Sequence, residues 1–247
     1  MTFLFTRVYW MLSFICFLLI ASSCTVVDRI QYGATLADLS KKGLDSIPDD
    51  IYSDTSLRVL RLYGNSLDSL SFRIGDLVNL EELYLGRNDL KTLPHEIANL
   101  KKLRILSVQY NNIKELPAEI GQLDRLEQLI LNQNELRCLP STLGDMKSLQ
   151  MLQVKYNFLD SLPSSIGECQ QLQFIYLNRN NLLALPESLS EISGLKEIYM
   201  AGAGQMTDVP EILCKLRMLE VLEVDQFTPL PTCFVVRQTG RLTIIRR

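Results

Sequence analysis

Side chains that catalyse reactions or bind metals are few in this sequence, and they do not fall into known catalytic spacings. His95 is the only histidine in 247 residues, which excludes sites that need two imidazoles and most zinc and di-iron chemistry. No CxxC pair, GxSxG turn or GxxxxGKS/T phosphate loop occurs. The sequence therefore predicts a protein that is not an enzyme and has no catalytic residue, metal site or cofactor.

Composition and charge restrict the class of partner. Hydrophobic residues make up 47% of the chain and charged residues 21%, which indicates a folded domain or repeat array and excludes a disordered protein. Lys and Arg total 25 against 28 Asp and Glu, and no basic block supplies the phosphate contacts that nucleic-acid binding requires. We expect no nucleic-acid partner.

Asparagines recur at a fixed interval of 23 residues along most of the chain. Neither an amphipathic helix nor an alternating strand produces this interval, so it indicates a repeat array. With Leu57 as position 1, the units follow the pattern LxxLxLxxNxLxxLPxxIGxLxx, and the unit LEELYLGRNDLKTLPHEIANLKK from Leu80 matches it almost throughout. The asparagines at position 9 are Asn65, Asn88, Asn111, Asn134, Asn157 and Asn180.

This pattern resembles the leucine-rich repeat in its 23-residue form, shared by bacterial proteins and the Ras-suppressor-like group, and covers residues 34 to 231. The resemblance implies an α/β repeat solenoid: a right-handed curved coil with a concave parallel β-sheet and an irregular or short-helical convex side. The LxxLxL segment would point its leucines inward. The asparagine at position 9 would donate to and accept from backbone groups of a buried turn.

The repeat register divides the chain into segments. Residues 57–194 hold six regular repeats, and residues 34–56 form a degenerate N-terminal capping repeat in the same register. Residues 195–247 form irregular terminal repeats and a C-terminal cap, in which Leu242 to Ile245 are expected to add a terminal strand. Residues 1–23 are interpreted as a cleaved signal peptide and residues 24–33 as a tether.

The first 24 residues are typical of an export signal. Arg7 precedes an apolar run of 13 residues from Val8 to Ile20, which is too short for a membrane-spanning helix of about 20 residues and favours cleavage over anchoring. The Ala-Ser-Ser-Cys ending at Cys24 resembles the lipobox of bacterial lipoproteins, although Ala21 stands where the usual motif has Leu.

The lipobox resemblance implies a location for the protein. The cysteine of a lipobox carries the lipid and becomes the mature N-terminus, so Cys24 would attach the protein to a membrane through a lipid anchor only. Thr25 stands where an Asp would favour retention in the inner membrane, which implies an outer-membrane lipoprotein of the bacterial cell envelope, facing the periplasm or the medium. Ordinary signal-peptidase cleavage and secretion are the alternative.

Four cysteines follow Cys24, and an exported protein can oxidise them. Cys169 replaces a core residue at position 21 and is expected to be a buried small hydrophobe, and Cys138 falls on a turn. Cys214 and Cys233 fall at neighbouring convex positions of the last two units, and we expect a disulfide between them.

Variable residues that point out of the concave strands are the candidates for binding. Tyrosine and arginine are frequent in binding hot spots because they offer large rigid contact areas with a polar end. Three consecutive repeats about 5 Å apart, from Leu149 to the unit that starts at Leu195, would bring such residues into one patch. Tyrosine also fills exposed sheets through its β-propensity, which is the alternative. The candidate ligand-binding residues are Tyr84, Arg87, Tyr110, Met151, Tyr156, Phe174, Tyr176, Arg179 and Tyr199.

The expected function is that of a non-enzymatic module, tethered to the envelope, that binds a protein or peptide on its concave face. A glycan- or host-surface-contacting adhesion or structural lipoprotein is the alternative, because tyrosines also stack on sugars. A ubiquitin-ligase domain, which some leucine-rich bacterial effectors carry, is not expected, since 16 residues follow Pro231. Glu220, Glu223 and Asp225 are expected to form a solvated edge.

Overall fold

A computed structural model describes residues 35–205, 208–236 and 242–247, so the signal peptide, Cys24 and the tether lie outside the described residues. In this part of the chain a single parallel sheet contains ten strands, each paired with the next in chain order. None of the described helices is long and apolar enough to cross a membrane. The strands are β1 (Leu36–Asp38), β2 (Val59–Arg61), β3 (Glu82–Tyr84), β4 (Ile105–Ser107), β5 (Gln128–Ile130), β6 (Met151–Gln153), β7 (Phe174–Tyr176), β8 (Glu197–Tyr199), β9 (Val221–Val224) and β10 (Thr243–Arg246).

The sheet register stacks equivalent positions of successive repeats on one another. Leu60 pairs with Leu83, and Leu83 pairs with Leu106, at the central position of each strand. Leu85 and Leu90, at positions 6 and 11, are also fully buried. Because every strand contributes the same inward positions, the core is a continuous column of leucines along the array, and the expected curved solenoid is confirmed.

The convex side consists of short 3-10 helices, each of which follows an extended segment. Six of these helices have a proline as the preceding residue, with φ between −59° and −68° and ψ between 134° and 150°. Proline suits this place because its fixed φ matches an extended backbone. The 3-10 helices in the described residues are Ile51–Ser53, Phe72–Asp76, His95–Asn99, Ala118–Gln122, Ser141–Asp145, Ser164–Glu168, Glu187–Glu191 and Glu211–Lys215.

The asparagines at position 9 bond neighbouring repeats together inside the core. The amide nitrogen of Asn134 donates to the carbonyls of Leu131 and Val108, each at 3.0 Å, and its oxygen accepts from the N–H of Ile113 at 3.1 Å. Leu131 belongs to the same repeat, whereas Val108 and Ile113 belong to the preceding one. Each such amide therefore satisfies backbone groups of two repeats that would otherwise be buried without partners.

Position 8, just before each asparagine, has a left-handed backbone. The φ values of the non-glycine residues there lie between 54° and 59°, in a region that costs an L side chain roughly 1–2 kcal/mol. The side chains at position 8, among them Tyr156 and Arg179, are therefore presented at a conformational cost. The residues are Lys41, Gly64, Arg87, Tyr110, Gln133, Tyr156, Arg179 and Gly202.

The C-terminal end of the array is closed by β10 and a short helix, α1 (Thr232–Val236). The expected terminal strand is present as β10, which pairs in parallel with β9. Cys214 and Cys233 are joined by a disulfide with their Cα atoms 5.9 Å apart, which ties α1 to the last 3-10 helix.

The two remaining described cysteines have different environments. Cys138 is exposed. Cys169 is buried, as expected, and its Sγ donates to the carbonyl of Leu143 at 3.2 Å. Burial raises the pKa of the Cys169 thiol to about 11, so the thiol remains protonated at neutral pH and behaves as a core side chain.

Candidate binding site on the concave face

Aromatic and cationic side chains of the first repeats form an N-terminal cluster on the concave face. We define it as Arg61, Tyr63, Tyr84, Arg87 and Tyr110. The Arg87 guanidinium carbon lies 5.3 Å from the ring centre of Tyr110 and 5.9 Å from that of Tyr63, and that of Arg61 lies 5.8 Å from the ring of Tyr84. These distances permit cation–π attraction, which holds the arginines over the rings.

A stretch without aromatic side chains at position 5 separates this cluster from the aromatic residues of the later repeats. Position 5 carries Ser107, Ile130 and Gln153 in three consecutive strands, none of them aromatic. The amide of Asn132 donates to the Gln153 side chain at 2.8 Å, which commits part of the polar surface to an internal hydrogen bond. The concave face therefore offers two distinct aromatic regions.

A depression of about 390 Å³ lies in the C-terminal part of the concave face, and we call it the concave pocket. Its floor is formed where positions 7 and 8 of one repeat are the small residues Ala201 and Gly202, whereas the preceding repeat has Asn178 and Arg179 there. The small size of Ala201 and Gly202 thus leaves the space of the pocket. Its lining consists of Lys155, Tyr156, Tyr176, Asn178, Arg179, Tyr199, Ala201, Gly202, Glu223, Asp225 and Arg247.

Two stacked tyrosines form the aromatic wall of the concave pocket. The pairing of β7 with β8 sets Tyr176 beside Tyr199, and their rings stack with centres 4.6 Å apart and planes 6° from parallel. The ammonium of Lys155, from the repeat before, lies 5.0 Å from the ring centre of Tyr176. The stack is therefore a rigid surface with a cation at one end.

The hydroxyl of Tyr199 is engaged inside the protein. It donates to a carboxylate oxygen of Glu197 at 2.8 Å. Burial, and the hydrogen bond to Glu197, raise the pKa of Tyr199 to about 12. Tyr199 is therefore neutral at physiological pH, and it contributes its ring rather than a free hydroxyl to the pocket.

Of the three acidic residues expected to form a solvated edge, Glu220 and Asp225 are exposed, whereas Glu223 is buried. Glu223 is only 3% exposed, accepts a hydrogen bond from the amide of Asn178 at 2.6 Å and pairs with Arg247 at 3.0 Å. The expectation was wrong for Glu223 because β10 covers the strand and brings Arg247 beside the carboxylate. Asp225 is exposed, and it accepts from the backbone N–H of Gly202 at 2.8 Å.

The structure brings together some of the candidate residues and separates others. Tyr156, Tyr176, Arg179 and Tyr199 all line the concave pocket. Met151 and Phe174 pair with each other across β6 and β7 on the same sheet, half-buried and outside the pocket lining. The remaining candidates, Tyr84, Arg87 and Tyr110, belong to the N-terminal cluster.

Several lining residues were not among the sequence-based candidates. Lys155, Asn178, Ala201 and Asp225 share position 7, so comparing that position across the repeats would have found them. Glu223 and Arg247 meet only because β10 pairs with β9. Among the described residues, no three His, Cys, Asp or Glu side chains come together in a way that could hold a metal ion. The pocket supplies aromatic surface, charges and hydrogen-bond donors.

Comparisons with known proteins agree with this fold. Residues 40–157 match a family model described as a leucine-rich repeat region. No curated protein matches the chain. A solved leucine-rich repeat protein of Leptospira interrogans is 30% identical, with a TM-score of 0.67 over 85% of this chain and 59% of that one.

Two further solved structures show the same solenoid. The leucine-rich repeat domain of the type III effector XopL is 21% identical, with a TM-score of 0.74 over 92% of this chain and 81% of that one. The plant peptide hormone receptor RGFR1, solved in complex with RGF2, is 25% identical, with a TM-score of 0.62 over 81% of this chain and 37% of that one. The chain thus spans about three-fifths of the Leptospira protein and under two-fifths of the plant receptor.

Proposed function

We propose that this leucine-rich repeat protein is a non-enzymatic recognition module that binds a protein or peptide ligand on its concave face. The observation that carries the proposal is the concave pocket, in which two stacked tyrosines and several charged side chains from five successive strands and their ends surround a floor of small residues. Leucine-rich repeat proteins are typically binding modules, and the similar plant receptor was solved with a peptide hormone.

The aromatic residues have the properties of binding anchors. Tyr156 is 52% exposed although its backbone is held in the unfavourable left-handed region at φ 56°. Tyr176 and Tyr199 are held rigid by their stacking, so a ligand that packs on them loses little further side-chain entropy. Rigid tyrosines next to charged groups are the composition expected of a hot spot.

The ring geometry favours a peptide over a glycan. Sugar rings bind tyrosine by lying flat on an open ring face. One face of Tyr176 is covered by Tyr199 of the following repeat, and the Lys155 ammonium of the preceding repeat lies 5.0 Å from the centre of the same ring. The edges of the stack, the second face of Tyr199 and the ring of Tyr156 remain for contact with peptide side chains.

Replacing Tyr156 and Tyr176 by alanine together is expected to lower ligand capture by about tenfold or more, because each removes a large anchor from the pocket. The measurement is a crosslinked pull-down from bacterial envelope extract with the full chain as bait, quantified by mass spectrometry against the wild type. Circular dichroism and thermal unfolding establish that the variant is folded.

The N-terminal cluster provides the matched control. Tyr84→Ala with Tyr110→Ala removes two tyrosines from the same sheet outside the pocket, and capture should be retained. Equal loss in both variants, or undiminished capture by Tyr156→Ala with Tyr176→Ala, would show that the ligand is not held by the pocket tyrosines. Binding of the wild type to a glycan array with no protein captured would support the adhesion alternative.

We also propose that the protein is attached to the bacterial outer membrane by lipid on Cys24, with secretion as the alternative. The support is the apolar segment that ends in Ala-Ser-Ser-Cys. Lipid chains contribute about 0.8 kcal/mol per buried CH₂ group, and two chains suffice for stable anchoring.

Expression of the full chain in a bacterial host is expected to yield a mature protein that begins at Cys24 and is heavier than residues 24–247 by the mass of the acyl chains. Intact-mass spectrometry of the membrane fraction measures this. The Cys24→Ser variant should lose the added mass and leave the membrane. An unmodified Cys24 in the wild-type protein would rule out the lipid anchor.

A further inference from the structure

The hydrogen-bonding groups of the concave pocket are unequally satisfied. Both carboxylate oxygens of Glu223 have partners, in Asn178 and Arg247, and Asp225 accepts from the Gly202 backbone. Within the described part of the chain, Arg179 and Lys155 form no ion pair and no side-chain hydrogen bond. Both oxygens of Glu223 are thus engaged and Asp225 uses one of its two oxygens, whereas the side-chain N–H groups of Arg179 and Lys155 are available.

The charge of the pocket differs in sign from that of the protein. Three lining side chains are cationic (Lys155, Arg179 and Arg247) and two are carboxylates (Glu223 and Asp225), so the lining is net positive. The whole chain has a formal charge of −3. A local positive potential on a negative protein attracts anionic groups to this place on the surface.

Arg179 lies over the pocket floor. A Cβ atom at Gly202 would lie 3.1 Å from the Cδ of Arg179, 3.5 Å from its Nε and 3.8 Å from its Cζ, so the arginine side chain extends along the glycine. A side chain at position 202 would crowd the arginine. An extended guanidinium with free N–H groups is the geometry that binds a carboxylate through two parallel hydrogen bonds.

We propose that the concave pocket binds the side-chain carboxylate of an Asp or Glu residue in the peptide ligand, with Arg179 as the anchor and Lys155 as the second cation. This inference rests on the proposed peptide-binding function. A cationic ligand could pair only with Asp225, because Glu223, whose side chain is 5% exposed, is already paired with Arg247, whereas a carboxylate has both Arg179 and Lys155 as partners. The acidic residue would lie over Ala201 and Gly202, beside the tyrosine stack.

The test uses a probe with a single charge. The full-length protein is titrated with N-acetyl-glutamic acid α-methylamide, and binding is followed by the NMR signals of the arginine Nε–H groups. We expect saturable binding in the millimolar range that shifts the Arg179 signal and weakens at high salt. The neutral glutamine analogue should not saturate. Arg179→Gln should weaken binding about tenfold or more, and Arg179→Lys should weaken it less.

Arg125→Gln is the matched control. Arg125 is also an exposed arginine without an ion pair among the described residues, but it lies outside the concave pocket and is not a candidate ligand-binding residue. Its replacement should leave carboxylate binding unchanged. Equal loss in Arg125→Gln, equal binding of the glutamine or lysine analogue, binding of inorganic phosphate without the carboxylate, or no saturation would each overturn the proposal.

These outcomes are separate from those of the tyrosine experiment. If Tyr156→Ala with Tyr176→Ala abolishes capture while the carboxylate probe does not bind, the concave face is a peptide site whose ligand is not anchored by an acidic residue. If the probe binds through Arg179 while capture is independent of the tyrosines, the carboxylate site exists and the proposed contact surface is wrong.

Discussion

Replacing Asn134 by alanine is expected to lower the free energy of unfolding by about 3 kcal/mol. The N–H of Ile113 donates to no other acceptor among the described residues and would be buried without a hydrogen bond. The carbonyls of Leu131 and Val108 would each lose one of two donors, because Asn157 and Asn111 also donate to them. Urea unfolding followed by circular dichroism measures the change.

Asn112→Ala is the control for this loss. Asn112 is exposed and directly follows Asn111, and only its backbone is hydrogen bonded within the described chain. Its replacement should change stability by less than about 0.5 kcal/mol. Similar effects of Asn112→Ala and Asn134→Ala would contradict the structural role of the buried amides.

The sharing of carbonyls between neighbouring asparagines has a further consequence. The Val108 carbonyl accepts from Asn111 at 2.9 Å and from Asn134 at 3.0 Å, so either alanine variant leaves it one donor. The double variant leaves it none. In a double-mutant cycle, the double variant should therefore lose more unfolding free energy than the sum of the losses of the two single variants, as expected for neighbours in one network.

The solenoid could be predicted from the sequence because burial enforces it in every repeat. Inward positions must be apolar, and the turn that leaves each strand must satisfy its own buried backbone groups, so leucine and asparagine recur at fixed positions. The left-handed backbone at position 8 was not predicted. It is occupied by Lys, Arg, Tyr and Gln, and its one sequence signal is the glycine found there at Gly64 and Gly202.

The candidate site was only partly predictable, for two physical reasons. The tyrosines were found because bulky side chains at outward positions are visible in the repeat pattern. The pocket itself is made by the small residues Ala201 and Gly202. Small residues do not stand out in a sequence as candidates for binding, so the pocket was not predicted. Glu223 was assigned wrongly because its partner Asn178 lies 45 residues away, a contact that depends on three-dimensional packing.

Glycines at position 19 determine how closely the convex turns approach each other. A Cβ atom at Gly144 would lie 2.4 Å from the backbone oxygen of Ser165 and 2.8 Å from its Cβ, in the next repeat. A Cβ atom at Gly121 would lie 2.4 Å from the backbone oxygen of Thr142, and one at Gly167 would lie 2.6 Å from that of Ser188. The obstructing atom is backbone in every case, so a rotamer change cannot relieve the contact, and whole turns would have to move apart.

Gly144→Ala is expected to lower the free energy of unfolding by about 2–3 kcal/mol, because the added methyl group forces two packed turns apart in the middle of the array. Urea unfolding measures this loss, with hydrogen exchange of the two turns as a local readout.

Gly194→Ala is the matched control. The nearest atom to a Cβ at Gly194 is the Gln170 carbonyl oxygen at 3.8 Å, and the φ of Gly194 is not in the left-handed region. That variant should be neutral or slightly stabilising, since alanine restricts the unfolded chain more than glycine does. Equal stability of the two variants would mean that the convex turns can separate without loss, and that the leucine column alone sets the spacing of the repeats.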